Sequence, residues 1–314
     1  MKFGLQLWSQ QTDWPTWRDS ALAAEAAGWD SVWTWDHVMA IFGPWEQPIF
    51  EGWMTLAGTA TLTSRVRLGL MVGANTFRNP ALTAKVAITL DHLSGGRAVL
   101  GIGGAWFERE HEAYGIHFGT GFGERLDRLD ESVMLIRRLL DGERFSHEGR
   151  FYTLHDALCE PRPVQAHLPI LVGGSGPRKT LRTTARYADL WNGYGEADRI
   201  AAVSDTLRER CLEEGILFDE IERTVTMDVV IRRWARGGHR AIQPDRGDPR
   251  HRRAGGSRRD AARPQRRRNA GGRGGLSPAV RGARGGGGHL DLPQSVRSRD
   301  DPSRGRGPGR AGGA

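Results

Sequence analysis

Asp36 and His37 close the segment WDSVWTWDH (29–37), where a short apolar stretch runs into polar residues. A histidine at such a strand exit can hydrogen-bond a bound ring or pass a proton near neutral pH. It can equally cap the following helix or rest on a backbone carbonyl. Met71, Val72 and Asn75 end a second apolar run, GLMVGAN (69–75). Met71 and Val72 read as core packing, and Asn75 as either a ring-edge partner or a turn residue.

GIGGAW (101–106) lacks the third glycine of the dinucleotide fingerprint, because Trp106 stands there. No acid about 20 residues on is clearly suited to the ribose contact. Gly103 and Gly104 instead suit the close approach of a flat ring to backbone. Gly173, Gly174, Ser175 and Gly176 join an apolar run to a helix expected from Pro177. The free N–H groups at such a helix start form an anion site, with Arg178 and Lys179 adding charge nearby. A plain left-handed turn is the other reading of the same four residues. Glu108, Glu110 and His111 fall on the helix after GIGGAW, where a solvated face is expected. The histidines are scattered without ligand spacing, so no metal site is expected. No nucleophile elbow is present either.

These clusters need elements to hold them. Residues 2–8, 29–37, 66–73, 97–104, 169–174, 189–192 and 224–231 read as strands, short, apolar and mostly unalternating. Helices are expected at 17–27, 53–63, 80–93, 106–114, 124–141, 177–188 and 197–214, with a small hairpin or an extended excursion in SHEGRFYTLHD (146–156). Seven unalternating strands interleaved with helices imply a parallel sheet covered on both faces. A (β/α)8 barrel and an open doubly wound sheet both fit the pattern. The candidate residues follow several different strands, which favours the barrel, whose strand ends meet at one face.

Charge divides the chain. Residues 232–314 hold 22 arginines and 6 aspartates, a charge of +16, whereas residues 1–231 hold 23 basic and 31 acidic residues, a charge of −8. The acidic body argues against nucleic acid as its partner. No apolar run approaches the length of about 18 needed to span a membrane. The opening MKFGLQLWSQQTDW has no secretory-signal pattern, and two distant cysteines fit a reduced, cytoplasmic setting. The Arg/Gly-rich tail contains no Lys, Glu, Phe, Tyr, Met or Cys. It cannot bury a core and reads as disordered, a frameshifted translation of a GC-rich gene standing where an eighth βα unit belongs. A genuine Arg/Gly tail that binds nucleic acid is the competing reading.

The segments 29–37, 69–85, 90–115 and 169–192 resemble the luciferase-like monooxygenase family of flavin- and deazaflavin-dependent barrel enzymes, over about residues 1–231. The resemblance implies a (β/α)8 TIM barrel, here lacking its last βα unit, and often a homodimer. It implies an oxidoreductase using coenzyme F420 (8-hydroxy-5-deazaflavin) or FMN on a small organic substrate. His37 becomes the catalytic candidate. Asp36, Met71, Val72, Asn75, Gly103, Gly104, Gly173, Gly174, Ser175, Gly176 and Asn192 become cofactor contacts, with a non-prolyl cis peptide near Met71–Val72 and the phosphate at the 173–176 turn. The family's sugar-phosphate dehydrogenases carry a catalytic Glu where Trp106 stands, so their substrate does not transfer. Trp33, Trp35, Trp45, Trp53 and Trp106 suggest an apolar or aromatic substrate pocket, with ordinary core filling as the other reading. An FMN monooxygenase fed by a partner reductase, and a cofactor-binding protein without turnover, are the other readings. An open-edged barrel of this kind is expected to be poorly soluble or weakly active.

Overall fold

The computed structural model describes residues 1–229. Its strands are β1 (Gly4–Gln6), β2 (Ser31–Thr34), β3 (Arg67–Leu70), β4 (Gly73–Ala74), β5 (Ala98–Gly103), β6 (Phe145–Glu148), β7 (Thr153–Ala157), β8 (Ile170–Gly173), β9 (Leu190–Tyr194) and β10 (Glu222–Thr226). The main sheet runs β1-β2-β3-β5-β8-β9-β10, with β4 beside β5. All its pairings are parallel. β6 and β7 form the expected antiparallel hairpin outside it. The sheet curls: Lys2, just before β1, reaches Glu222 at the start of β10 at 3.2 Å, and Arg67 of β3 approaches the same carboxylate at 3.7 Å. This is the curled parallel sheet of a barrel, not a flat doubly wound one.

The covering helices are α1 (Trp14–Ala26), α2 (Gly52–Ala60), α3 (Pro80–Ser94), α4 (Glu108–Tyr114), α5 (Phe122–Leu140), α6 (Thr180–Tyr187) and α7 (Ala197–Glu214). Their ends follow local chemistry. The Asn79 side chain accepts from Ala81 N at the start of α3, Pro80 opens the helix, and Gly95 closes it at φ 65°. In α5, Leu129, Val133, Ile136 and Leu140 recur at helical spacing on the buried face. Every residue of β2 and β5 is buried, as strands covered on both sides require.

Three of the boundaries that differ from the sequence pattern bear on the site. The strand expected at 66–73 breaks at a cis Met71–Val72 peptide and resumes as β4. The helix expected from Pro177 begins at Thr180, because Thr183 N is the donor that reaches Lys179 O and the glycine turn extends through 179. β10 begins at Glu222, so the Thr224 and Thr226 side chains lie within it rather than at its start. The Arg/Gly-rich tail, and with it the expected loss of an eighth unit and the frameshifted reading, lies outside the described residues.

Candidate functional site at the strand exits

The parallel order carries the C-terminal ends of β2, β4, β5 and β8 to one rim. At the β2 exit, Asp36 and His37 point to different partners. Asp36 is buried, and both its oxygens are engaged: Arg78 donates at 2.6 and 3.0 Å, and Ala74 N at 3.0 Å. Arg78 also reaches Glu51 at 2.7 Å. Burial opposes the guanidinium charge, but hydrogen bonding and charge from Asp36, then Glu51, hold the Arg78 pKa above its ordinary value. Asp36 therefore anchors β4 to the β2 exit.

His37 lies beside α4. Its Nδ1 is 2.9 Å from Glu110 Oε1, and Val38 N donates to Glu110 Oε2 at 3.1 Å. Trp106 and Phe107 stand edge-on to the imidazole at 5.5 and 6.0 Å. Glu110 and His111 are buried, not solvated, with only Glu108 on the exposed side. His111 Nε2 and Thr76 Oγ1 are 2.6 Å apart, and its Nδ1 faces Phe107 O at 2.8 Å. Burial, as the largest influence, holds the His111 pKa below the ordinary 6.5. Phe107, Glu110, His111 and Tyr114 share one helical face, a stripe with an aromatic at each end that the sequence already displayed.

Val72 forms the floor of the rim. A Cβ on Gly103 would lie 2.8 Å from Val72 Cγ2, and one on Gly173 would lie 2.8 Å from Val72 Cγ1. The space beside these two glycines thus seats Val72. Gln6 Nε2 donates to Met71 O at 3.0 Å. Asn75 is buried, with its amide 3.4 Å from Tyr152 Oη. Gly104 lies over Leu126.

At the β8 exit, Gly174 takes φ 124° and its backbone is engaged on both sides, by Asn192 O at 3.1 Å and Trp191 Nε1 at 2.7 Å. Gly176 leaves room for Thr180 Oγ1, which a Cβ would meet at 2.7 Å. Lys179, expected to add charge at this turn, instead reaches Gly123 O at 3.0 Å and Asp127 on α5. Asn192 pairs in register with Gly173, yet its amide turns to Thr224 and Thr226 at 2.9 and 3.2 Å. A cleft of about 290 Å³ lies between α5, α6 and the β6–β7 turn, where Arg150, Arg178, Lys179 and Arg182 meet Asp127, Asp130 and Glu131.

The aromatic surface is also redistributed. Trp33 and Trp53 belong to the core. Trp8, which the sequence pattern did not single out, stacks on Phe42 at 5.1 Å and meets Trp35 at 4.9 Å. Trp8, Phe42, Trp45 and Trp106 are exposed. Among the described residues no cluster of potential ligands suits a metal ion, and no helix is long and apolar enough to cross a membrane.

The family profile described as Luciferase-like monooxygenase matches residues 1–273. The chain belongs to that family. Membership fits the curled sheet and the rim just described, and the match runs past residue 231. The F420-dependent glucose-6-phosphate dehydrogenase of Kineococcus radiotolerans is 38% identical over 216 residues, 66% of this chain and 61% of that protein. The phthiodiolone/phenolphthiodiolone dimycocerosates ketoreductase of Mycobacterium tuberculosis is 38% identical over 195 residues, 55% of this chain and 49% of that protein. The chain thus spans about half to three fifths of the length of these curated relatives. Among solved structures, an F420-dependent secondary alcohol dehydrogenase with an F420-acetone adduct aligns at a TM-score of 0.63 and 23% identity, covering 71% of this chain and 68% of that one. The oxygenating constituent of 3,6-diketocamphane monooxygenase from Pseudomonas putida, in complex with FMN, aligns at 0.57 and 20%, covering 71% and 66%. At these identities the likeness carries the fold.

Proposed function

We propose that this chain is an oxidoreductase that holds a deazaflavin, coenzyme F420, at its strand-exit rim and exchanges a hydride with a small organic substrate. The observation that carries this reading is His37, at the β2 exit, with one ring nitrogen on a buried glutamate and its rings of Trp106 and Phe107 alongside. The residues present fit a flat ring. Met71 and Val72 offer an apolar floor seated on Gly103 and Gly173, with Gly104, Asn75 and Asp36 around it. Gly174, Ser175 and Gly176 precede α6, where a helix start suits a phosphate, and Asn192 backs that turn. Two relatives whose names specify F420 lend weight to this choice.

The bound coenzyme would accept or return the hydride, and the chain's own groups do the rest. His37 takes a proton at Nε2 as a substrate hydroxyl becomes a carbonyl, or returns it in the reverse direction. Trp106 and the group of exposed Trp8 and Phe42 with half-buried Trp35 favour an apolar or aromatic alcohol or ketone over a sugar phosphate. The second reading, an FMN monooxygenase supplied by a partner reductase, draws on the FMN-bound structural neighbour. A second copy of the chain as partner belongs to either reading. The two buried free cysteines suit a reduced, cytoplasmic setting. Reduced F420 mixed with the full chain and a series of apolar ketones tests the proposal. Oxidation of the coenzyme that requires the protein and a ketone is the expected result; consumption only with FMN, a reductase and oxygen would favour the second reading.

A further inference from the structure

We propose that Glu110 is the positioning residue for His37, fixing which imidazole nitrogen carries the proton and therefore which one is left to work. The inference rests on the reading of His37 as the proton-handling group. Glu110 is almost wholly buried, at 1% side-chain exposure, and each of its oxygens has one partner from the β2 exit. Val38 N donates to Oε2 at 3.1 Å. Oε1 is left to His37 Nδ1 at 2.9 Å. An ionised carboxylate only accepts, so the ring nitrogen facing it must bear hydrogen, and a neutral imidazole then presents Nε2 as its bare, basic nitrogen. When Nε2 takes a proton, the carboxylate sits against the resulting cation.

The helix that carries Glu110 is held on three sides. Tyr114 Oη donates to Val38 O at 3.1 Å, His111 meets Thr76 after β4 at 2.6 Å, and Arg109 lies over Trp45 at 5.1 Å. Two turns of helix therefore connect the β2 exit to the β4 exit. The position of His37 relative to Met71 and Val72 is set through Glu110 rather than by the irregular segment that follows it.

Histidine nitrogen NMR on the labelled full chain, at about pH 8 where free imidazole is neutral, reads the tautomer directly. A His37→Asn chain identifies the signal by its loss. The wild-type chain is expected to show His37 as the single Nδ1–H tautomer. Glu110→Gln, whose amide can accept or donate, is expected to lose that single signal to a mixture, and Glu110→Asp to recover part of it. An Nε2–H tautomer in the wild type, or an unchanged tautomer in a folded Glu110→Gln chain, overturns the proposal. The wild-type spectrum decides the matter even where Glu110→Gln does not fold. A His37→Asn chain that turns over at the full rate would refute the role of His37 in the reaction and leave the tautomer result standing, so the two failures are distinguishable.

Discussion

His37 and Asp36 are sequence neighbours with opposite duties. Asp36 is consumed by Arg78 and Ala74 N, so it fixes backbone, whereas His37 has one ring nitrogen on Glu110 and, in the proposed function, uses the other to carry the proton. His37→Asn is expected to lower turnover by about a hundredfold to ten-thousandfold, the usual worth of a general acid or base, while changing coenzyme affinity little. Steady-state rates and an equilibrium titration on the same protein check it, and equal losses in both would assign His37 to binding. Arg78→Met leaves a buried carboxylate without its countercharge. A loss of about 3 kcal/mol is expected from urea unfolding; a loss under about 1 kcal/mol would mean the Asp36 site is wetter than it looks.

Two glycines, Gly101 inside β5 and Gly95 at the close of α3, act at the level of the elements. A Cβ on Gly101 would lie 1.8 Å from Leu70 O, a backbone atom of the neighbouring strand. Gly101→Ala is therefore expected to cost at least about 3 kcal/mol, the upper range for overpacking. Gly95, at φ 65° with nothing within 4 Å of its Cβ position, is expected to cost only about 1 kcal/mol when changed to Ala. Comparable unfolding midpoints for the two would contradict the close β3–β5 approach.

α4 supplies a pH-dependent contribution. The His111 pKa is lowered in the folded chain, mainly by burial, so the unfolded chain takes up the proton first. The contribution of the neutral ring is complete above the unfolded pKa, near 6.5, and is lost as pH falls from there towards the depressed folded value. Melting temperature should fall across that window, and His111→Gln should flatten this part of the slope. An identical slope in both chains would place the proton uptake elsewhere.

Much of this architecture was legible in the residues. Unalternating runs such as VLGI announce a strand buried on both faces, and Asn79-Pro80 with Gly95 marks both ends of α3. α4 was expected as a helix but its buried face was not read, because EREHEAY has the composition of a wet helix and the contacts that bury Glu110 and His111 are tertiary. Lys179 likewise looked like a charge for the glycine turn. Its long side chain instead reaches α5, a contact separated by more than 50 residues that no local pattern encodes.

Over the whole molecule, residues 1–231 are acidic at −8 and the basic surplus lies in residues 232–314. Charge therefore says little about the rim, where apolar and aromatic residues surround the His37–Glu110 pair and the Asp36–Arg78–Glu51 cluster. The central claim is that this rim holds a deazaflavin beside His37. Titrating coenzyme F420 and FMN separately into the full chain, followed by coenzyme fluorescence, tests it most directly. Saturable binding is expected for F420, tighter than for FMN and weakened when Gly173→Val displaces Val72 from its seat. A folded chain that binds neither coenzyme would contradict it.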